Sequence, residues 1–102
     1  MKLKLTQTQL VALHRFFMDH VISEKPGTII DRLILLHMLK IYKKLRTKAE
    51  EPFTGKGFSI NLSQEEALAY YEYFFNRSLG EQYRYEHNFI QSHIAQIDRA
   101  YA

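Results

Sequence analysis

The sequence predicts a mainly α fold: four helices in a bundle-like single domain, with a minor two-stranded β element. Three observations carry this expectation. Apolar residues recur at helical spacing over four stretches. Two short segments, Met1 to Leu5 and Phe58 to Leu62, alternate apolar and polar residues as half-buried strands do, and each leads into a Thr or Ser suited to cap a helix. Pro and Gly fall between the helical stretches. An all-α domain is the fallback.

In chain order, Leu3 and Leu5 alternate with Lys2 and Lys4. Thr6 then reads as a helix N-cap. Gln9 completes a capping box, and Leu5 with Leu10 forms a hydrophobic staple. The first helix is expected from about Gln7 to Ser23, burying Leu10, Leu13, His14, Phe17 and Val21, with Val11, Met18 and Ile22 on its flanks. Pro26 and Gly27 end it.

The next stretch, Thr28 to Lys48, is the most apolar in the chain and is expected to be the central helix. Thr28 caps it, and Asp31 sits in its first turn where a negative charge suits the helix dipole. Ile30, Ile34, Met38, Ile41, Tyr42 and Leu45 form one core stripe. At about 100° per residue a second stripe, Ile29, Leu33 and Leu36, lies roughly opposite and continues into Lys40, Lys43 and Lys44. A helix apolar on both sides is wrapped by neighbours, lies at an interface, or spans a membrane. The membrane option fails because the longest apolar run, Leu33 to Leu36, is far short of the roughly 20 residues required.

Pro52, Gly55 and Gly57 mark a loop over residues 51–57, and Phe58, Ile60 and Leu62 then alternate. Ser63 and Glu66 form a second capping box for a third helix, expected from Gln64 to Arg77 with Ala67, Leu68, Tyr71, Phe74 and Phe75 inward. Gly80 marks a corner, and Ser78 with Glu81 is spaced as a third capping box. In the last helix Tyr83, His87, Ile90, Ile94, Ile97 and Tyr101 follow a heptad seam.

Laying Leu3 onward over Ile60 onward matches Leu3, Leu5, Thr6, Gln7, Ala12 and Phe17 with Ile60, Leu62, Ser63, Gln64, Ala69 and Phe74 at a constant offset. The single domain, residues 1–102, therefore reads as two strand-helix-helix units, 1–50 and 58–102, joined by loop 51–57, with their strands paired. Chance similarity between leucine-rich strand-to-cap junctions is the rival explanation.

Composition narrows the chemistry. There is no cysteine, which excludes a disulfide framework, cysteine-based zinc sites and thiol catalysis. None of the five histidines, His14, His20, His37, His87 and His93, pairs with another three or four residues away, so no metal or other cofactor is expected. Glu86 with His93 and His20 with Glu24 read as solvated pairs. Thr54 to Gly57 is too short for a phosphate loop, and no nucleophile motif is present, so the expectation is a non-enzyme. The segment MKLKLTQTQL lacks the apolar region of a secretory leader, so the expected location is the cytoplasm.

Net charge is +3. Lys40, Lys43, Lys44, Arg46 and Lys48 form the one strong charge asymmetry, a candidate contact for nucleic acid or another anion. Ile29, Leu33 and Leu36, together with Tyr70 and Tyr73 of the third helix and Tyr85 and Phe89 of the fourth, are candidate interface residues. The leading expectation is a non-enzymatic protein-protein interaction or self-association module whose partner is itself, as a homodimer, or another protein. An accessory nucleic-acid binder using the Lys40 to Lys48 cluster is the alternative, and no membrane partner is expected.

Overall fold

The computed structural model describes residues 1–52 and 55–102; Phe53 and Thr54, inside the expected loop 51–57 and its Thr54 to Gly57 turn, lie outside the described residues. The fold is mainly α, with four helices and one two-stranded sheet. Strand β1 (Lys2–Leu5) leads into α1 (Gln7–Phe16), which continues as a π-helical turn, Phe17–Val21. Helix α2 (Ile29–Ala49) is followed by β2 (Phe58–Asn61), α3 (Gln64–Phe74), a 3₁₀ turn at Glu81–Tyr83, and α4 (Arg84–Tyr101).

The strands pair antiparallel, Leu3 with Ile60 at the centre, Lys2 with Asn61 and Lys4 with Ser59 on either side. Met1 and Leu62 extend the ladder, each backbone nitrogen bonding the other's carbonyl at 2.8 Å. Leu3, Leu5 and Ile60 point into the core, where burial of apolar surface holds the ribbon on the helices. Gly57 enters β2 with φ of +75°, and a Cβ there would stand 3.1 Å from the Leu5 carbonyl oxygen, so glycine suits this close approach.

Both strands run directly into capped helices. Thr6 accepts from the Gln9 amide while the Gln9 side chain accepts from Thr6, and Ser63 and Glu66 do the same. Adding 57 to each residue number carries Leu3, Leu5, Leu10, Leu13, Phe16 and Phe17 onto Ile60, Leu62, Ala67, Tyr70, Tyr73 and Phe74, and every one of these is buried. Leu3 thus pairs with its own equivalent, and the register is that of a local two-fold axis between Leu3 and Ile60. The helices follow suit: α1 packs on α2 and α3 on α4 within each half, while α2 packs on α3 and α1 on α4 across the halves.

Several expected faces shift. In α3 the buried apolar and aromatic residues are Ala67, Ala69, Tyr70, Tyr73 and Phe74, whereas Leu68 and Phe75 are exposed and Tyr71 half-buried. Aromatic and apolar residues fill two adjacent rows of this helix, so spacing alone could not phase it. In α2, Leu35, Met38, Ile41 and Leu45 are buried, while Ile30, expected inward, is 66% exposed at the second position of the helix. In α4 the seam widens to include Phe89 and His93, and His87 is exposed. That helix also lacks the expected Ser78 cap: Gly80, with φ of +90°, turns the chain into the 3₁₀ segment instead. In α1, His14 is half-buried and its ring stacks on Tyr42 of α2, centroids 5.4 Å apart.

Candidate functional site

In an antiparallel pair, directly opposed residues share a face. Because Leu3, Leu5 and Ile60 face the helices, the opposite face of the ribbon carries Lys2 beside Asn61 and Lys4 beside Ser59, all four exposed. Neither lysine has an ion-pair partner among the described residues. The result is a short polar ribbon whose strands lead directly into the N-termini of α1 and α3. The first turn of α1 contains no acidic residue, while that of α3 carries Glu65 and Glu66.

Two side chains fasten the ribbon to the helices. Lys44 of α2 donates to the Asn61 carbonyl at 2.7 Å and to the Glu66 carboxylate at 2.5 Å. Burial raises the Glu66 pKa, but the bonds from Lys44 and the Ser63 amide outweigh it and hold the carboxyl below its usual value. On the other strand a ring N–H of His93 in α4 donates to the Lys4 carbonyl, while Nδ1 accepts from the Tyr70 hydroxyl at 2.8 Å. These partners fix the tautomer of a neutral ring. Burial lowers the His93 pKa to about 4, against the opposing pull of the Lys4 carbonyl. It likewise pushes the Tyr70 hydroxyl well above the usual phenol range.

The expected aromatic interface is corrected by this arrangement. Tyr70, Tyr73 and Phe89 are buried, and Tyr85 alone of the four stays exposed. Their rings form a continuous run: Tyr85 on Phe89, Phe89 on His93, His93 on Tyr70, Tyr70 on Phe74, and Phe74 on Tyr73. They are core because α1, α4 and the ribbon close over them. The offset of 57 was the signal that places the two tyrosines, since Tyr70 and Tyr73 stand where Leu13 and Phe16 stand in the first half. Tyr73 also bonds Glu24 at 3.2 Å, and Arg77 stacks 3.9 Å over its ring while reaching the same carboxylate. Burial, opposed by Arg77 and reinforced by Glu24, raises the Tyr73 pKa to about 12.

The two expected solvated pairs separate. His93 is buried, and His20 meets the Tyr83 hydroxyl rather than Glu24, which takes Arg77. Among the described residues no three His, Asp or Glu side chains converge as metal ligands.

Several members of the basic cluster on α2 are drawn into local contacts. Arg46 lies 5.9 Å over the Tyr42 ring, Lys48 reaches Glu51 at 3.6 Å, and Lys44 is committed to Glu66. Lys40 and Lys43 are exposed. Lys43, Lys44, Thr47 and Lys48 nevertheless join Ile60 and Asn61 around a cleft of about 410 Å³, so part of the cluster borders the ribbon. The second apolar stripe stays open: Ile29 is 86%, Leu33 57% and Leu36 52% exposed. Among the described residues, no helix is long and apolar enough to cross a membrane.

The chain matches no known protein family, and neither the curated proteins nor the solved structures include a significant match.

Proposed function

We propose that the protein is a non-enzymatic binding module that docks its ribbon in the major groove of duplex DNA. One observation carries this reading: Lys2, Lys4, Ser59 and Asn61 share one exposed face of an antiparallel ribbon whose other face is core. The major groove, about 12 Å wide, admits a two-stranded ribbon, and these residue types donate to or accept from base edges and phosphates. Lys43 and Lys48 border the β2 edge, where the duplex backbone would pass. The nucleic-acid surface is thus centred on the ribbon and takes in only part of the Lys40 to Lys48 cluster. The groups that resemble proton-transfer chemistry, His93 with Tyr70 and Glu66 with Lys44, are spent on fastening the ribbon. The test is binding of a fluorescent duplex by the whole chain: Lys2→Glu with Lys4→Glu abolishes it at unchanged melting temperature. Undiminished binding by that variant overturns the reading.

A second reading, self-association as a homodimer, is favoured by the open stripe of α2. Ile29, Leu33, Leu36 and Lys40 are spaced four, three and four, a pattern identical from either end. Antiparallel pairing of two copies therefore sets Leu33 against Leu36 of the second copy and Ile29 along the aliphatic stem of its Lys40. With Ile30, 66% exposed, the apolar stripe offers roughly 500 Å² per copy, near the total of about 1,000 Å² at which specific interfaces begin. Light scattering on a sizing column tests it: a dimer that Leu33→Glu converts to a folded monomer supports it, and a wild-type monomer refutes it.

A further inference from the structure

The two strands of the ribbon occupy equivalent positions but carry different chemistry. The offset of 57 sets Lys2 against Ser59 and Lys4 against Asn61 as equivalents, and the local two-fold exchanges the pairs Lys2–Asn61 and Lys4–Ser59. A ribbon formed between two identical chains has two identical strands and reads a palindrome. Here one chain supplies both strands, and they differ: two ammonium groups on β1, a hydroxyl and a carboxamide on β2.

Resting on the ribbon reading above, we infer that the ribbon recognises a non-palindromic B-form DNA site, with guanine read by the lysines of β1 and adenine by Asn61 of β2. The chemistry of base edges gives this assignment. Lysine is a donor without an acceptor and matches guanine, which presents two acceptors, O6 and N7, in the major groove. The carboxamide of Asn61 has both a donor and an acceptor and matches adenine N6 and N7. Ser59 fits either base. Outward residues on one strand stand about 7 Å apart, two base-pair steps of about 3.4 Å, and the strands lie side by side, so both span the same short stretch of groove, Lys2 with Asn61 at one end and Lys4 with Ser59 at the other.

Flanking groups are unequal in the same sense. Lys4 precedes a helix whose first turn has no acidic residue, whereas Asn61 precedes one that begins with Glu65 and Glu66. Phosphate approach is therefore favoured at the start of α1, and on the β2 side it shifts to the lysines of α2 that share a cleft with Asn61. Double-stranded RNA is disfavoured, because its deep, narrow major groove does not admit side chains.

The test is selection of bound sequences from a random duplex library with the whole chain, repeated with Lys2→Ser plus Lys4→Asn, which makes β1 a chemical copy of β2. The four positions are exposed, and an unchanged melting temperature confirms that the variant folds. Wild type is expected to select one asymmetric motif with guanine at both ends of the contacted stretch and adenine only at the end read by Lys2 with Asn61. The variant is expected to select an adenine-centred palindrome. The reciprocal Ser59→Lys plus Asn61→Lys, expected to select a guanine-centred palindrome, serves if the first variant unfolds. A palindromic wild-type motif, duplex binding without base preference, or an asymmetric motif unchanged in the variants overturns this inference and leaves duplex binding standing. No duplex retained by wild type overturns the parent reading with it.

Discussion

Lys4 and Asn61 are equivalent positions on the two strands, and the carbonyl of each accepts a hydrogen bond from a side chain of the other half's second helix. His93 of α4 serves Lys4, and Lys44 of α2 serves Asn61. Each half thus fastens the other's strand. The choice of side chain differs sharply: a neutral imidazole buried with Tyr70 on one side, a half-exposed ammonium paired with Glu66 on the other.

That difference makes the His93 side sensitive to acid. Its pKa is about 4 in the folded protein against 6.5 for an ordinary histidine. Between those values the unfolded chain binds a proton that the native ring refuses, so stability falls as pH drops from about 6.5 towards 4. The expected loss is about 3 kcal/mol by the bottom of that window. Glu66, whose pKa is lowered in the folded state, contributes stability above its ordinary value of 4.5 that is lost only below it. Urea unfolding at pH 7 and pH 5 measures the effect. His93→Gln should flatten the slope, and a slope unchanged by that replacement would show that another group titrates.

Tyr70→Phe removes the donor to His93 and little else. The orphaned Nδ1 is expected to cost about 1 to 2 kcal/mol at pH 7, read as a lower urea midpoint. An unchanged midpoint would mean that the hydrogen bond contributes nothing.

Lys44→Met keeps the aliphatic stem but leaves the buried Glu66 carboxylate without its ammonium and the Asn61 carbonyl without its donor. Lys44 is 39% exposed at its side chain, so solvent screens the pair and a loss of about 1 to 2 kcal/mol is expected. Adding Glu66→Gln should recover part of it, since the amide retains the capping bond without a buried charge. Additive losses in the double variant would contradict this.

Gly80 holds φ of +90°, and a Cβ there would stand 2.8 Å from the Gln82 side chain. That side chain can move aside, but the backbone strain stays. Gly80→Ala is expected to lower stability by about 1 to 2 kcal/mol. A thermal melt equal to wild type would refute the strained corner.

The fold was legible where periodicity and capping agree. Both strands, both capping boxes and the span of the central helix follow from the alternation at Leu3 and Leu5, the pairs Thr6–Gln9 and Ser63–Glu66, and Thr28 before an apolar run. The inward face of α3 was not, because Leu68, Tyr71 and Phe75 form as good an apolar row as Tyr70, Tyr73 and Phe74. Only comparison with Leu13, Phe16 and Phe17 at the constant offset chooses between them. The ribbon face escaped notice for a different reason. Lys2, Lys4, Ser59 and Asn61 are individually unremarkable, and only the antiparallel register brings them together. The Lys40 to Lys48 cluster showed the reverse: dense in sequence, its charges are partly taken up by Tyr42, Glu51 and Glu66.

The most direct measurement is the affinity of the whole chain for a short DNA duplex by fluorescence anisotropy, from 50 to 200 mM salt. With about four counterions displaced by Lys2, Lys4, Lys43 and Lys48 together, affinity is expected to weaken about 100-fold over that range, and Lys2→Glu with Lys4→Glu should show no binding. Wild type that binds no duplex at the lowest salt, or a charge-reversed ribbon that binds as well as wild type, would contradict the ribbon as a DNA-docking surface.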